Sequence, residues 1–403
     1  MKALFVLIAI SVAAANVSSV SFDQDVAFLK KHTQIIVLSQ KDGGAQLAVA
    51  PALQGRVMTS TAEGEHGLSF GWINRALFES GKVQPHMNVF GGEDRFWMGP
   101  EGGQFSIFFT KGAPFDLEHW FTPASVDTEP FELAGKAADQ VRFRRSIELT
   151  NYSGTKFNVR VDREVRLLSS REGWRNLGAQ PATGVKLVAF ESVNQISNAG
   201  KEPWKKETGL LSIWILGMFN PSAATTIVVP IKSGPESTLG KPVNADYFGA
   251  VPPERLVVKD DVVFFSGDGK YRSKIGVNAK RCRPVLGSYD AANKVLTIVQ
   301  FTFQGQTDYV NSMWKIQDNP YAGDAANSYN DGPPAPGKPA LGPFYELESS
   351  SPAAALAPGH TLKHVHRTIH LSGSEPELDR IARSALGVSL QQITSALRSA
   401  GPG

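Results

Sequence analysis

A chain of 403 residues with 42% hydrophobic and 20% charged side chains can bury a sizeable core without help from disulfides or a structural metal. Its 41 basic and 38 acidic residues leave a net charge of +3, and no sustained basic stripe runs through it, which argues against nucleic acid as a partner. One cysteine, Cys282, excludes an intramolecular disulfide.

The first residues read as an export signal. Met1-Lys2 gives the positive start, Ala3 to Ala15 is an apolar and small-residue run, and the Ser-rich stretch at Ser18-Ser19 follows. The run is shorter than the about 20 residues of a membrane span, so residues 1–20 are expected to be a signal peptide, leaving no stable membrane span after its removal. The expected destination is the periplasm or the medium. Asp23 to Lys31 then places Val26, Phe28 and Leu29 among charges as a short amphipathic helix.

From Gln34 the texture is that of strands: Ile35–Leu38, Gln46–Val49, Arg56–Thr59 and Phe105–Phe109, each closed by turn residues. Gln140–Leu149 and Phe157–Val165 alternate apolar and polar side chains, so each has one dry and one wet face. Apolar strands follow at Val185–Phe190, Leu211–Leu216, Val262–Phe265 and Val295–Phe301, then His364–Leu371; Trp214 reads as core. Glu375 to Leu397 has helical spacing, with Pro376 near its start and a break at Gly387. The fold class expected is all-β, a large antiparallel body at 21–372, with peripheral short helices and a C-terminal helical tail at 373–403.

Three segments carry more polar chemistry than strand punctuation needs. His86 to Gln104 combines Gly91-Gly92 with Glu93, Arg95, Trp97 and Glu101. Glycines allow close backbone approach, and aromatic faces edged by charged groups suit a sugar ring. A bulge with a structural Arg–carboxylate pair reads equally well. Gln317 to Leu341 reads as a long loop whose Asp318, Asn319, Asp324, Asn327, Asn330 and Asp331 are hard oxygen ligands for calcium or, alternatively, solvated turn residues. No other cofactor is expected.

In the third segment Glu346 and Glu348 share a strand face, and His364, His366 and His370 share a face of the next strand. If the two strands form a hairpin, carboxylates and imidazoles line one surface, for acid–base chemistry, for a metal, or simply as a wet face.

The phrases Gly91-Gly92-Glu93-Asp94-Arg95-Phe96-Trp97, Gly99-Pro100-Glu101-Gly102-Gly103, Asn327-Ser328-Tyr329-Asn330-Asp331-Gly332 and Gly342-Pro343-Phe344-Tyr345-Glu346-Leu347-Glu348 carry a resemblance. They resemble an uncharacterised family of exported bacterial proteins within the galactose mutarotase-like superfamily, over roughly residues 25–372. That resemblance implies a large antiparallel β-supersandwich. Aldose epimerases of the superfamily use a late glutamate as base on the anomeric hydroxyl, and Glu346 is the best match, with Glu348 second. Their mid-chain histidine acid has no counterpart in Asn194–Asn198, and no histidine lies between His119 and His360. The acid role then falls to His86 or His364.

The expected function is an exported, carbohydrate-related protein, aldose-epimerase-like, acting on a sugar or sugar acid through Glu346, His364 and His86. Glu93, Arg95, Trp97, Glu101, Asn330, Asp331, Glu348 and His366 are the expected substrate contacts. The alternatives are a non-catalytic binder of carbohydrate or another polar small molecule, and a metal-stabilised scaffold.

Overall fold

The computed structural model describes residues 20–41 and 44–398. The expected signal peptide lies outside the described residues except for Val20. The chain forms β1 (Ile36–Ser39), β2 (Gln46–Ala50), β3 (Arg56–Thr61), β4 (Arg95–Gly99), β5 (Glu132–Lys136) and β6 (Gln140–Thr150). Next come β7 (Lys156–Leu167), β8 (Lys186–Asn198), β9 (Ser212–Phe219), β10 (Thr225–Pro230), β11 (Leu256–Lys259) and β12 (Val262–Ser266). The series ends with β13 (Ser273–Asn278), β14 (Val285–Asp290), β15 (Val295–Phe301), β16 (Asp324–Asn330), β17 (Tyr345–Ser350) and β18 (Thr361–Ser372). The longer helices are α1 (Phe22–Lys30), α2 (Arg75–Ser80) and α3 (Ser170–Leu177), then α4 (Glu375–Leu386) and α5 (Leu390–Ala396).

Two antiparallel sheets face each other. The larger runs β11-β12-β10-β14-β15-β18-β8-β7-β6-β5, the smaller β13-β16-β17-β9-β4, and β1-β2-β3 form a third, short sheet. This is the all-β supersandwich expected from the sequence. β6 and β7 show why the pattern works. Their dry faces send Val141, Phe143, Ile147, Val159, Val161 and Val165 into the main core. On the wet face Arg142 pairs across the strands with Glu164, and Arg144 with Asp162, at 2.9 and 2.7 Å. Such exposed pairs contribute ~0.2–1 kcal/mol each, so the buried face dominates.

α4 and α5 pack on the outer face of the larger sheet. Leu378, Ile381, Ala382 and Leu386 recur at helical spacing and bury against Leu296 and Ile298. Gly387, at φ 77°, ends α4 in the left-handed conformation that favours glycine. Ser389 and Gln392 then cap α5 reciprocally. The C-terminal helices therefore share a core with the sandwich.

Two strand expectations need correction. Phe105–Phe109 forms no strand; its backbone makes isolated hydrogen bonds to Pro100, Phe121 and Tyr152, and its rings pack, Phe108 stacking on Trp120 at 5.7 Å between centroids. The stretch read as one long loop contains β16, whose sequence Asp-Ala-Ala-Asn-Ser-Tyr-Asn lacks an aliphatic pattern. It is a central strand because its polar groups find partners: Asp324 accepts from Tyr247 Oη at 2.6 Å, and Ser328 Oγ donates to the Glu346 carbonyl at 2.6 Å.

The condition that the Glu346 strand and the histidine strand form a hairpin is not met. β17 sits between β16 and β9, whereas β18 sits between β15 and β8 in the opposite sheet. The histidines do share a face, but it is the dry interface between the sheets rather than a wet one. Ser349 Oγ lies 2.8 Å from both His364 Nε2 and His366 Nδ1. Burial lowers their pKa values to about 3 and about 4, so both imidazoles are neutral.

Candidate functional site

Alternation along the smaller sheet sorts its side chains between two environments. On one face Phe96, Met98, Ile213, Ile215, Tyr345 and Leu347 enter the cores between the sheets. The other face carries Arg95 and Trp97 from β4, Trp214, Leu216 and Met218 from β9, Glu346 from β17, Tyr329 from β16 and Lys274 from β13. The strand register sets them side by side: Tyr329 opposite Glu346 and Lys274 opposite Tyr329, with Arg95 opposite Leu216.

Loops close over this face and leave a cavity of about 510 Å³, within the range of small-molecule sites. Trp120, Trp314, Phe248 and Phe344 supply further aromatic walls, while Leu117 and Leu341 leave apolar surface exposed at its edge. Outside the cavity lining, ahead of β4, glycine makes a close backbone approach. Gly91 has φ 92°, and a Cβ on it would fall 2.1 Å from the Trp72 carbonyl oxygen.

Charges concentrate on the floor. Arg95 lies over the Trp97 ring at 4.0 Å and reaches Glu346 Oε1 with Nη2 at 3.4 Å. Lys274 Nζ donates to Glu348 Oε2 at 3.0 Å, and Trp214 Nε1 donates to the same oxygen at 2.8 Å. Burial, then the charge of Glu348, pushes the Glu346 carboxyl up to about 8, against the pull of Arg95 and Lys274. Burial likewise raises Glu101. Burial alone would lower Lys274, but Glu348, Glu101 and Glu346 together raise it. Beside Glu346, Tyr329 Oη donates to Asp331 Oδ1 at 3.0 Å, and burial and Asp331 hold that phenol well above its ordinary range. His86 Nδ1 donates to the Trp120 carbonyl at 2.7 Å, which orients the ring and leaves Nε2 without a protein hydrogen bond.

Six of the residues singled out in the sequence therefore converge: Glu346, Arg95, Trp97, Glu101, Asp331 and His86. Glu348 stands behind the wall, bonded to two lining residues. The sheet divides the others from the cavity. Glu93 Oε2 lies 2.7 Å from His370 Nε2 between the sheets, alongside His364 and His366. Asn330 faces away, its side chain joined to Gly269 and Tyr271. Asp324, Asn327 and Asn330 are strand residues, and among the described residues no group of three or more His, Cys, Asp or Glu is arranged to hold a metal.

Trp214, read as core, is part of the buried main core and also lines the cavity. Lys274, Arg272, Trp120 and Trp314 carried no sequence signal as site residues. Alternation in β13 sets Lys274 on the face opposite Ile275 and Val277, and that parity is the one cue that points to it.

Fold and cavity together define a large antiparallel β-sandwich protein with an aromatic-walled cavity whose floor carries charged groups. The chain belongs to a family of unknown function, DUF6786, whose model matches residues 20–397. No curated protein matches the sequence. Among solved structures it is similar to the Slr1438 protein of Synechocystis sp. PCC 6803, at 12% identity and a TM-score of 0.51, covering 85% of this chain and 96% of that one. A putative aldose 1-epimerase from Escherichia coli K12 matches at 13% identity, with coverage of 85% and 99% and a TM-score of 0.49. A galactose mutarotase-like protein from Lactobacillus casei ATCC 334 matches at 12%, with coverage of 84% and 100% and a TM-score of 0.47. At these identities the likeness is one of fold alone.

Proposed function

We propose that the cavity binds a carbohydrate and that the protein is an exported, aldose-epimerase-like enzyme with Glu346 as its base. The observation that carries this reading is the Glu346 carboxyl, held near neutral pH at the floor of a cavity walled by tryptophans. Aromatic faces complement the apolar faces of a pyranose, and Arg95, Glu101, Lys274 and Asp331 offer polar contacts to its edge. A base with a pKa near 8 exchanges protons close to physiological pH, where general base catalysis is most effective.

In this reading Glu346 takes the proton of the anomeric hydroxyl. The bond from the anomeric carbon to the ring oxygen breaks as the carbonyl forms, and His86, as imidazolium, delivers a proton from Nε2 to the ring oxygen. Rotation about the adjacent carbon–carbon bond and reversal of the steps give the other anomer. Export rests on the N-terminal pattern of Met1 to Ser19. Among the described residues no helix is long and apolar enough to cross a membrane.

Thermal-shift titration of the purified protein with neutral and acidic monosaccharides tests the site. Binding at free ligand concentration L stabilises the folded state by RT ln(1 + L/Kd), so the unfolding midpoint rises with ligand concentration. A flat response to every sugar would remove the carbohydrate reading.

A further inference from the structure

The cavity has donors that nothing in the protein satisfies. Arg95 is 2% exposed and lines the wall, yet only Nη2 has a partner, the 3.4 Å contact with Glu346, while Nε and Nη1 have none. The Nε1 donors of Trp97 and Trp120, on the same wall, are buried and equally without a partner. Buried donors are nearly always paired, so three side chains that line one cavity and carry unpaired donors point to a ligand that supplies acceptors.

The neighbouring charges give the sign of that ligand. Arg272 lies over the Phe248 ring at 3.7 Å and has no carboxylate partner among the described residues, and Lys274 adds a second cation on the sheet. Of the acids that line the cavity, Glu118 is exposed at the rim, Glu346 contacts Arg95, and burial holds Glu101 and Glu346 toward their uncharged forms. Glu348 accepts from Lys274 and Trp214, and Asp331 accepts from Tyr329 and from the Gly342 backbone at 2.8 Å. A planar guanidinium stacked on an indole, with its terminal edge free apart from one long contact, fits a planar carboxylate.

We infer that the ligand is a sugar acid, held by its carboxylate on the Arg95 guanidinium with its ring against the tryptophans. This rests on the carbohydrate reading of the same cavity and narrows it to uronates.

Calorimetric titration of the full chain at pH 7 with matched ligands tests the inference. D-glucuronate and D-galacturonate should each bind at least tenfold tighter than D-glucose and D-galactose. D-glucuronamide, which keeps the shape and loses the charge, should fall back to the level of the neutral sugar. Arg95→Gln should erase the difference. Because that buried substitution can impair folding, the uronate–uronamide comparison on the unaltered protein decides by itself. Equal affinity for the acid and neutral sugars would overturn the sugar-acid inference and leave the carbohydrate reading standing. Tighter binding of α-D-glucose 6-phosphate than of D-glucuronate would overturn it in favour of a phosphate. Binding of none of these sugars would defeat both.

Discussion

Replacing Glu346 by glutamine should remove a pH dependence of stability that the wild-type carboxyl imposes. The folded carboxyl sits at about 8 against an ordinary 4.5, because burial and the charge of Glu348 disfavour its ionised form. Between those values the unfolded chain releases the proton and the folded chain keeps it. The stability tied to this group is therefore complete below pH 4.5 and is lost as pH rises through 8. At ~1.36 kcal/mol per pH unit the ceiling is ~5 kcal/mol, and relaxation of the cavity lowers the realised value to ~2–4 kcal/mol. Urea unfolding at pH 5 and pH 9 measures it, with the slope of free energy against urea checked for constancy. Other titrating groups cancel when wild type and Glu346→Gln are compared. Wild type should lose ~2–4 kcal/mol more than the variant between the two pH values, and at pH 9 the variant should be the more stable protein. Parallel pH dependence in the two would refute the buried, protonated Glu346 and with it the floor electrostatics.

Three further outcomes follow from the packing. Arg163 and Asp94 form a fully buried pair at 2.6 Å, with Arg163 also donating to Asn194 and the Gly55 carbonyl; Arg163→Met should cost ~3–5 kcal/mol in urea unfolding, and a loss under ~1 kcal/mol would contradict its role. Gly91→Ala forces a side chain into the left-handed region and against backbone, so it should cost ~2–4 kcal/mol by the same measurement, whereas a neutral effect would contradict the close approach. Cys282 is buried and its thiol is pushed up to about 12, despite basic residues next to it in sequence, so the native protein should resist a thiol reagent at pH 8 that labels it rapidly in urea. Rapid native labelling would contradict that burial.

What the sequence made legible was periodicity. The alternation in Gln140–Leu149 and Phe157–Val165 is the direct imprint of a sheet with one wet face, and these stretches became β6 and β7 nearly residue for residue. The helical spacing after Glu375 and the break at Gly387 survived for the same reason. Parity was also legible, since Glu346 and Glu348 do share a face, as do His364, His366 and His370. What parity could not give was which side is wet. That depends on the opposite sheet, and Ser349 reaching across to two histidines has no signature in the local sequence. β16 was illegible because its burial is sustained by hydrogen bonds rather than aliphatic side chains. The cavity itself joins distant segments. Arg95 and Glu346 meet across 251 positions of sequence, and Trp120, Trp314 and Lys274 join them only through the fold.

The central claim is that Glu346 moves a proton on a bound sugar, and the anomer interconversion rate tests it most directly. Magnetisation exchange between the α and β anomers of D-glucuronate and D-glucose, followed by NMR from pH 6 to 9, reads that rate with and without protein. The account predicts protein-dependent exchange that needs Glu346 ionised and His86 protonated together, so it passes through a maximum as pH is varied, and falls at least a hundredfold in Glu346→Gln. Exchange no faster than in buffer for every sugar that binds, or full activity in Glu346→Gln, would contradict it.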